Sequence, residues 1–237
     1  KAGTMKATSD FHEITVFGAR GTAMMVLQSL HEHYPGRANV RALIDDVENG
    51  FLHPQLGVPV ISSQERLALY PDLPVLISVT SPALRERTAL RLAAEGATLV
   101  SGVSPGQNRM DALVTHDPGA ICAPFTRVGP NVHLGTGTLV LAMMLAHDVT
   151  LGDYSVVSVH ASVLGHVQIG RGVTIAPHAV IGNGSARRPL RIGDGAVIGI
   201  GATVIRDVPP GARMIGNPAM TVRQFAKLDR LLRDPPA

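Results

Sequence analysis

His147 and Asp148 stand side by side in the stretch "LAHDVTLGDY". An imidazole that gives one ring proton to a carboxylate keeps a lone pair on its other nitrogen. Near neutral pH it can take a proton from an attacking nucleophile and later protonate a leaving group. A neighbouring carboxylate favours the imidazolium that forms on the way. His160 and His178 lie 18 residues apart with His166 between them, but without the polar neighbours and spacing of a three-histidine zinc site, so no metal is expected. Cys122 is the one cysteine, which rules out an internal disulfide framework, and its apolar surroundings mark it as core rather than nucleophile.

The segment around the pair is periodic. Val128, Leu134, Leu145, Leu151, Val157, Val163, Ile169, Ile175, Ile181, Ile192, Ile198 and Val204 recur mostly at six-residue steps. Four residues after each comes a small or β-branched residue, such as Val132, Thr138, Ser155, Ala161, Ala179 and, after Ile181, Ser185. Such hexads mark a parallel β-helix, in which three hexads close a triangular coil and the coils stack roughly 4.8 Å apart. Glycines follow many of the apolar positions (Gly129, Gly135, Gly152, Gly170, Gly182, Gly193, Gly199) and are expected to supply the backbone angles of the corners. The period loses one residue between Val140 and Leu145, a slip expected to lift His147 off the packed wall. It gains five between Ile181 and Ile192, which must leave the coil as a loop carrying Arg187 and Arg188.

The N-terminal half reads differently. Strands are expected at 14–18, 40–46, 74–79 and 97–102, and helices at 19–33, 62–70 and 81–96, the last with a Ser81 cap and a Gly96 stop. That alternation implies a parallel sheet of about four strands with helical crossovers, a Rossmann-like domain. Ligands on such sheets sit at the carboxyl ends of strands, here Gly18 to Thr22 and Asp45 to Asp46. Gly18-Ala19-Arg20-Gly21 lacks the G-x-G-x-x-G fingerprint, so NAD is not expected. A phosphate or sugar contact at the helix N-terminus still fits.

Composition sets outer bounds. The 237 residues, 45% of them hydrophobic, suffice for two cores, and Gly and Val displace helix formers near residue 115. The expected organisation is therefore an α/β domain over 12–112, an all-β domain over 113–217 and an amphipathic helical tail over 218–237. No apolar run reaches the roughly 18 residues of a membrane helix, residues 1–10 are polar, and a single cysteine suits a reducing cytoplasm. A net charge of +3 suits anionic ligands, whereas 3% aromatic residues and no Trp argue against a nucleic-acid surface.

A Rossmann-like domain followed by hexads that include "HDVTLGDY", "GHVQIG" and "AVIGIGATVIRDVPPGARMIGNPA" resembles the PglD-like nucleotide-sugar N-acetyltransferases and the sialic-acid O-acetyltransferases. The resemblance spans residues 13 to 220. It implies a left-handed parallel β-helix, a homotrimer, acetyl-CoA as co-substrate in the groove between neighbouring β-helices, and a nucleotide sugar on the N-terminal domain. By the same resemblance His147 is the general base, Asp148 raises its basicity and the Gly165 amide meets the oxyanion. Val156, Pro177 and Ile200 fall at coenzyme contacts made mostly through backbone. Gly18, Arg20, Gly21, Thr22, Asp45, Asp46, Thr80 and Ser81 fall at the sugar-nucleotide site, although Arg20 and Thr22 depart from the family's G-x-G/S-G-H loop. Arg187 and Arg188 can reach the coenzyme phosphates, the nucleotide or solvent. The implied reaction is direct acetyl transfer in a ternary complex to the amine of a nucleotide-linked amino sugar. O-acetylation of a sialic-acid-type sugar and a non-catalytic nucleotide-sugar-binding scaffold stand as alternatives.

Overall fold

The structure is a computed structural model and describes residues 4–33, 36, 38–102 and 111–216. The helical tail expected over 218–237 lies outside the described residues. In the N-terminal part the elements run β1 (Lys6–Thr8), β2 (Glu13–Phe17), α1 (Gly21–His33), β3 (Asn39–Ile44), β4 (Phe51–Leu52) and β5 (Pro59–Ile61). After these come α2 (Ser63–Leu69), β6 (Val75–Ile77), α3 (Pro82–Ala94) and β7 (Thr98–Val100). They form a sheet of order β1-β7-β6-β2-β3-β5-β4, parallel except where β4 meets β5. The four expected strands are β2, β3, β6 and β7. The sheet is wider than expected by β1, β4 and β5, two or three residues each, of which β1 and β4 are largely exposed and carry no apolar run.

Local chemistry starts and stops the helices where the sequence indicates. Ser62 and Glu65 form a reciprocal capping box before α2, Ser81 Oγ accepts the Leu84 N–H at the start of α3, and Gly96 leaves that helix at φ +75°. At the ends of β2 and β6 the chain passes close to itself at Gly18. Its φ is +112°, and a Cβ there would stand 2.5 Å from Ser78 Oγ, so only glycine fits.

From Thr115 to Met214 sixteen strands of two or three residues make three parallel sheets of five, five and six strands among the described residues. Val163 pairs with Leu145, 18 residues earlier, so one coil is three hexads. The recurring aliphatics from Val128 to Val204 are each no more than 4% exposed and form one continuous core. Each such side chain contributes roughly 1.5–3 kcal/mol by leaving water. The rule of a small residue four places after each aliphatic fails once: Ser185 is exposed, and Leu190, paired with Val167, fills the inward slot because the five extra residues bulge out ahead of it.

The glycines one residue after the inward aliphatics do something other than expected. The left-handed corner is three residues after most inward aliphatics, at Asn131, Asp148, Tyr154, His160, His166 and His178 and at Gly137, Gly172, Gly195 and Gly201, with φ between 55° and 66°. Asn, Asp and His tolerate that region better than most side chains. Gly129, Gly152 and Gly193 do not have positive φ. They lie under the next coil, where a Cβ would meet Ala146 O at 2.3 Å, Gly170 C at 2.5 Å and Pro210 N at 2.3 Å. Coil spacing, not corner angle, excludes side chains there.

The two parts are joined through α3. Arg85 is fully buried, and its guanidinium donates to Ile77 O (2.7 Å) and Val79 O (2.9 Å) on one side and to Gly137 O (2.8 Å) and Thr138 O (3.3 Å) on the other. Burial pushes its pKa down to about 9, and the four carbonyls favour the cation. Ile121, Leu139 and Val156 from one β-helix sheet share an apolar cluster with Val26, Leu27 and Leu30 of α1. Arg85→Ala would take the guanidinium from four carbonyls, of which Thr138 O keeps the Ile121 N–H, a loss of roughly 3 kcal/mol. We expect it to lower the urea midpoint well beyond Arg87→Ala, whose side chain is exposed, and Arg85→Lys to restore little, since an ammonium lacks the planar fork.

Candidate active site

His147 lies at the corner between two β-helix sheets, two residues after inward Leu145. The one-residue slip is not what presents it. The short coil, marked by Val157 pairing with Val140 17 residues earlier, narrows the opposite corner and leaves Met143 57% exposed. The His147 corner itself is a regular hexad with Asp148 in the left-handed position. What makes room for the imidazole is Gly165, one coil on. A Cβ at 165 would lie 2.5 Å from His147 Cε1 and 2.6 Å from Nε2. The ring therefore rests flat on a bare Cα, with half of the side chain open to solvent.

His147 Nδ1 is 2.7 Å from Asp148 Oδ2. With the carboxylate accepting, the proton sits on Nδ1 and Nε2 keeps its lone pair. Asp148 Oδ1 accepts from Asn131 Nδ2 at 3.1 Å, and His166 Nδ1 is 3.6 Å from Oδ2. The hydrogen bond from His147, then that from Asn131, holds the Asp148 carboxyl below the usual carboxylate range, so it stays ionised. His166 meets the His147 ring edge to face at 5.0 Å, a neighbour the sequence reading left out of the site. His147, Asp148 and His166 place three potential metal-ligand atoms within 4.8 Å of one another, but the carboxylate already serves the hydrogen bonds above. His160 and His178 stack at 5.1 Å on another corner. Cys122 is buried, and burial pushes its thiol up to about 12, which removes it as a nucleophile.

The residues carried over for the coenzyme are not gathered in one chain. Gly165 is buried beneath His147, and its N–H donates to Asn183 Oδ1 at 2.9 Å. Pro177 and Ile200 lie at the corner on the far edge of the sheet that ends at His147, with Ile200 70% exposed. Val156 offers no side chain to a coenzyme: it is fully buried in the cluster shared with α1, and its N–H bonds Val173 O. Arg187 and Arg188 are exposed on the loop that leaves the coil, held by a turn between Ser185 and Arg188.

A cavity of about 880 Å³ opens where β2 is flanked by β3 on one side and β6 on the other. Chain connections diverge there, the usual place for a ligand on an open parallel sheet. Gly18, Arg20, Gly21, Thr22, Asp45, Asp46, Thr80 and Ser81 all line it, joined by Arg87 and Arg91, which the sequence reading did not single out. The aspartates have structural tasks as well. Asp45 Oδ1 accepts the Val47 and Glu48 N–H groups, and Asp46 accepts from Ser63 and from Arg91 at 3.0 Å. Burial alone would raise the Asp46 pKa, but those hydrogen bonds from Ser63 and Arg91 bring it below its ordinary value. Arg20 is 72% exposed and lies 3.4 Å from Glu48.

The bacterial transferase hexapeptide family (six repeats) matches residues 148–183. The GDP-perosamine N-acetyltransferase of Escherichia coli O157:H7 is 32% identical over 154 residues, 62% of this chain and 67% of that protein. WeeI from Acinetobacter baumannii AYE superposes with a TM-score of 0.69 at 27% identity, over 88% of this chain and 99% of that one. The acetyltransferase domain of PglB from Neisseria gonorrhoeae FA1090, solved with acetyl coenzyme A, gives 0.74 at 22% identity over 90% and 100%, a likeness of fold. Hexad coils beneath an exposed His-Asp corner, and a relative matched at that identity over two thirds of its length, make this chain a member of the sugar acetyltransferases of the hexapeptide-repeat superfamily.

Proposed function

We propose that the protein transfers the acetyl group of acetyl-CoA to the amine of a nucleotide-linked amino sugar, with His147 as general base and Asp148 as the group that orients and charges it. The observation that carries this reading is the 2.7 Å contact between His147 Nδ1 and Asp148 Oδ2 at an exposed corner, which leaves Nε2 free to take the amine proton. The N-terminal α/β unit, Rossmann-like in its crossovers, binds the nucleotide sugar in the 880 Å³ cleft. Arg20, Arg87 and the start of α1 suit a diphosphate there, and the likeness to a GDP-perosamine N-acetyltransferase of E. coli suits a sugar amine as acceptor.

His147 and the corner bearing Pro177 and Ile200 stand at opposite edges of one sheet, so a coenzyme touching both needs two copies of the chain. Exposed Met143, Ile200 and Ile205 border that sheet, which supports a homotrimer of left-handed β-helices with sites between subunits. Among the described residues no helix is long and apolar enough to cross a membrane. The buried single thiol suits a cytoplasmic setting.

A thiol-release assay with acetyl-CoA and a panel of nucleotide amino sugars tests the reading. CoA release with at least one amine acceptor is expected. Release only with sialic-acid-type hydroxyl acceptors would replace it by O-acetylation, and release with none would favour a binding scaffold. His147→Ala should lower kcat by roughly 10²- to 10⁴-fold, the usual worth of a positioned acid-base group, with an unchanged thermal midpoint. Gly165→Ala should fold, because the atoms it meets belong to a movable ring, and cost on the order of 10²-fold in kcat by displacing the imidazole.

A further inference from the structure

The reading of the site as an acetyl-transfer centre leaves one group unassigned, the oxyanion donor, and the inference here rests on that reading. Gly165 is the expected donor, but its N–H already points at Asn183, 2.9 Å away. A backbone N–H can only donate, so the atom facing it is the side-chain oxygen and the amide NH2 is turned the other way. Among the described residues that NH2 has no hydrogen-bond partner. Asn183 is exposed and sits one coil beyond Gly165 in the column that holds His147. It also lines a cavity of about 580 Å³ with Arg188 and Arg206, two cations suited to an anionic coenzyme.

We propose that Asn183 Nδ2, and not the Gly165 amide, is the hydrogen-bond donor to the thioester oxygen. The amine nitrogen forms its bond to the thioester carbon while the carbonyl π pair moves onto oxygen, where the Asn183 N–H meets it. His147 Nε2 takes the proton from the new ammonium. The tetrahedral species then re-forms C=O and breaks C–S, and the same proton passes from Nε2 to the departing thiolate, giving the acetamide and free CoA. Gly165 serves as an anchor: its N–H fixes the oxygen end of the Asn183 amide, which aims the nitrogen end.

Asn183→Ala and Asn183→Asp distinguish the two donors. Alanine frees the Gly165 N–H, whereas aspartate keeps an acceptor over it and removes both side-chain donors. If Asn183 meets the oxyanion, both variants should lose about 10²- to 10³-fold in kcat, the typical cost of one oxyanion donor, with KM for acetyl-CoA little changed. Wild-type turnover in the alanine variant would return the role to Gly165. Normal turnover in the aspartate variant beside a defective alanine variant would reduce Asn183 to a prop, and it would likewise overturn the proposal. Thermal midpoints equal to wild type certify both proteins as folded, and a drop in the alanine variant alone leaves the aspartate variant as the decisive case. Wild-type turnover with undiminished variants would sink only this role; absence of wild-type turnover with every acceptor would sink the acetyl-transfer reading and this role with it.

Discussion

Coil-on-coil pairing governs everything chemical in this molecule. Because strands of successive coils pair in register, as Val163 with Leu145 and Ile181 with Val163, residues at equal places in successive hexads form columns. One column at the active corner reads Pro130, His147, Gly165, Asn183, and the column beside it reads Asn131, Asp148, His166. Each functional contact is made between neighbours in these two columns. Asn131 donates to Asp148 from the coil before, Gly165 yields space to His147 from the coil after, and Asn183 holds the Gly165 N–H from the coil after that. An insertion that shifted one coil by a residue would dismantle the whole set. The natural five-residue insertion avoids this by leaving the coil only after Asn183 and restoring the register at Leu190.

The left-handed corner and the acid at the base are also the same feature. Most corners need a residue that accepts positive φ, and besides glycine the short polar types that do so include aspartate. At 148 that requirement places a carboxylate next to an imidazole whose neighbour position points outward, so backbone geometry and proton chemistry select one residue together. Elsewhere the equivalent corner carries His160 and His178 with no adjacent acid, or Tyr154 beside Asp153 with no imidazole, and no comparable pair arises.

Arg85 connects this machinery to the N-terminal cleft. Its guanidinium holds Ile77 and Val79 carbonyls at the end of β6, beside the cleft wall, and Gly137 and Thr138 carbonyls in the β-helix. A buried cation with donors in a fixed plane sets direction as well as distance. The apolar cluster containing Val26 and Val156 excludes water across the same joint.

Hexad periodicity, the helix cap at Ser81, the Gly96 stop and the adjacency of His147 to Asp148 were readable from the chain alone, because each depends on residues near in sequence. The eight positions carried over to the sugar-nucleotide site do converge on one cleft, since strand ends of a parallel sheet must. What sequence could not resolve involves residues brought together only by stacking or docking. His166 and Asn131 join Asp148, Asn183 joins Gly165, Leu190 replaces Ser185 in the core, and Val156 turns out to face a domain contact. The i+1 glycines make the same point: their spacing is plain in the sequence, but the carbonyl that forbids a side chain belongs to a coil some 18 residues away, and only the folded stack brings it there.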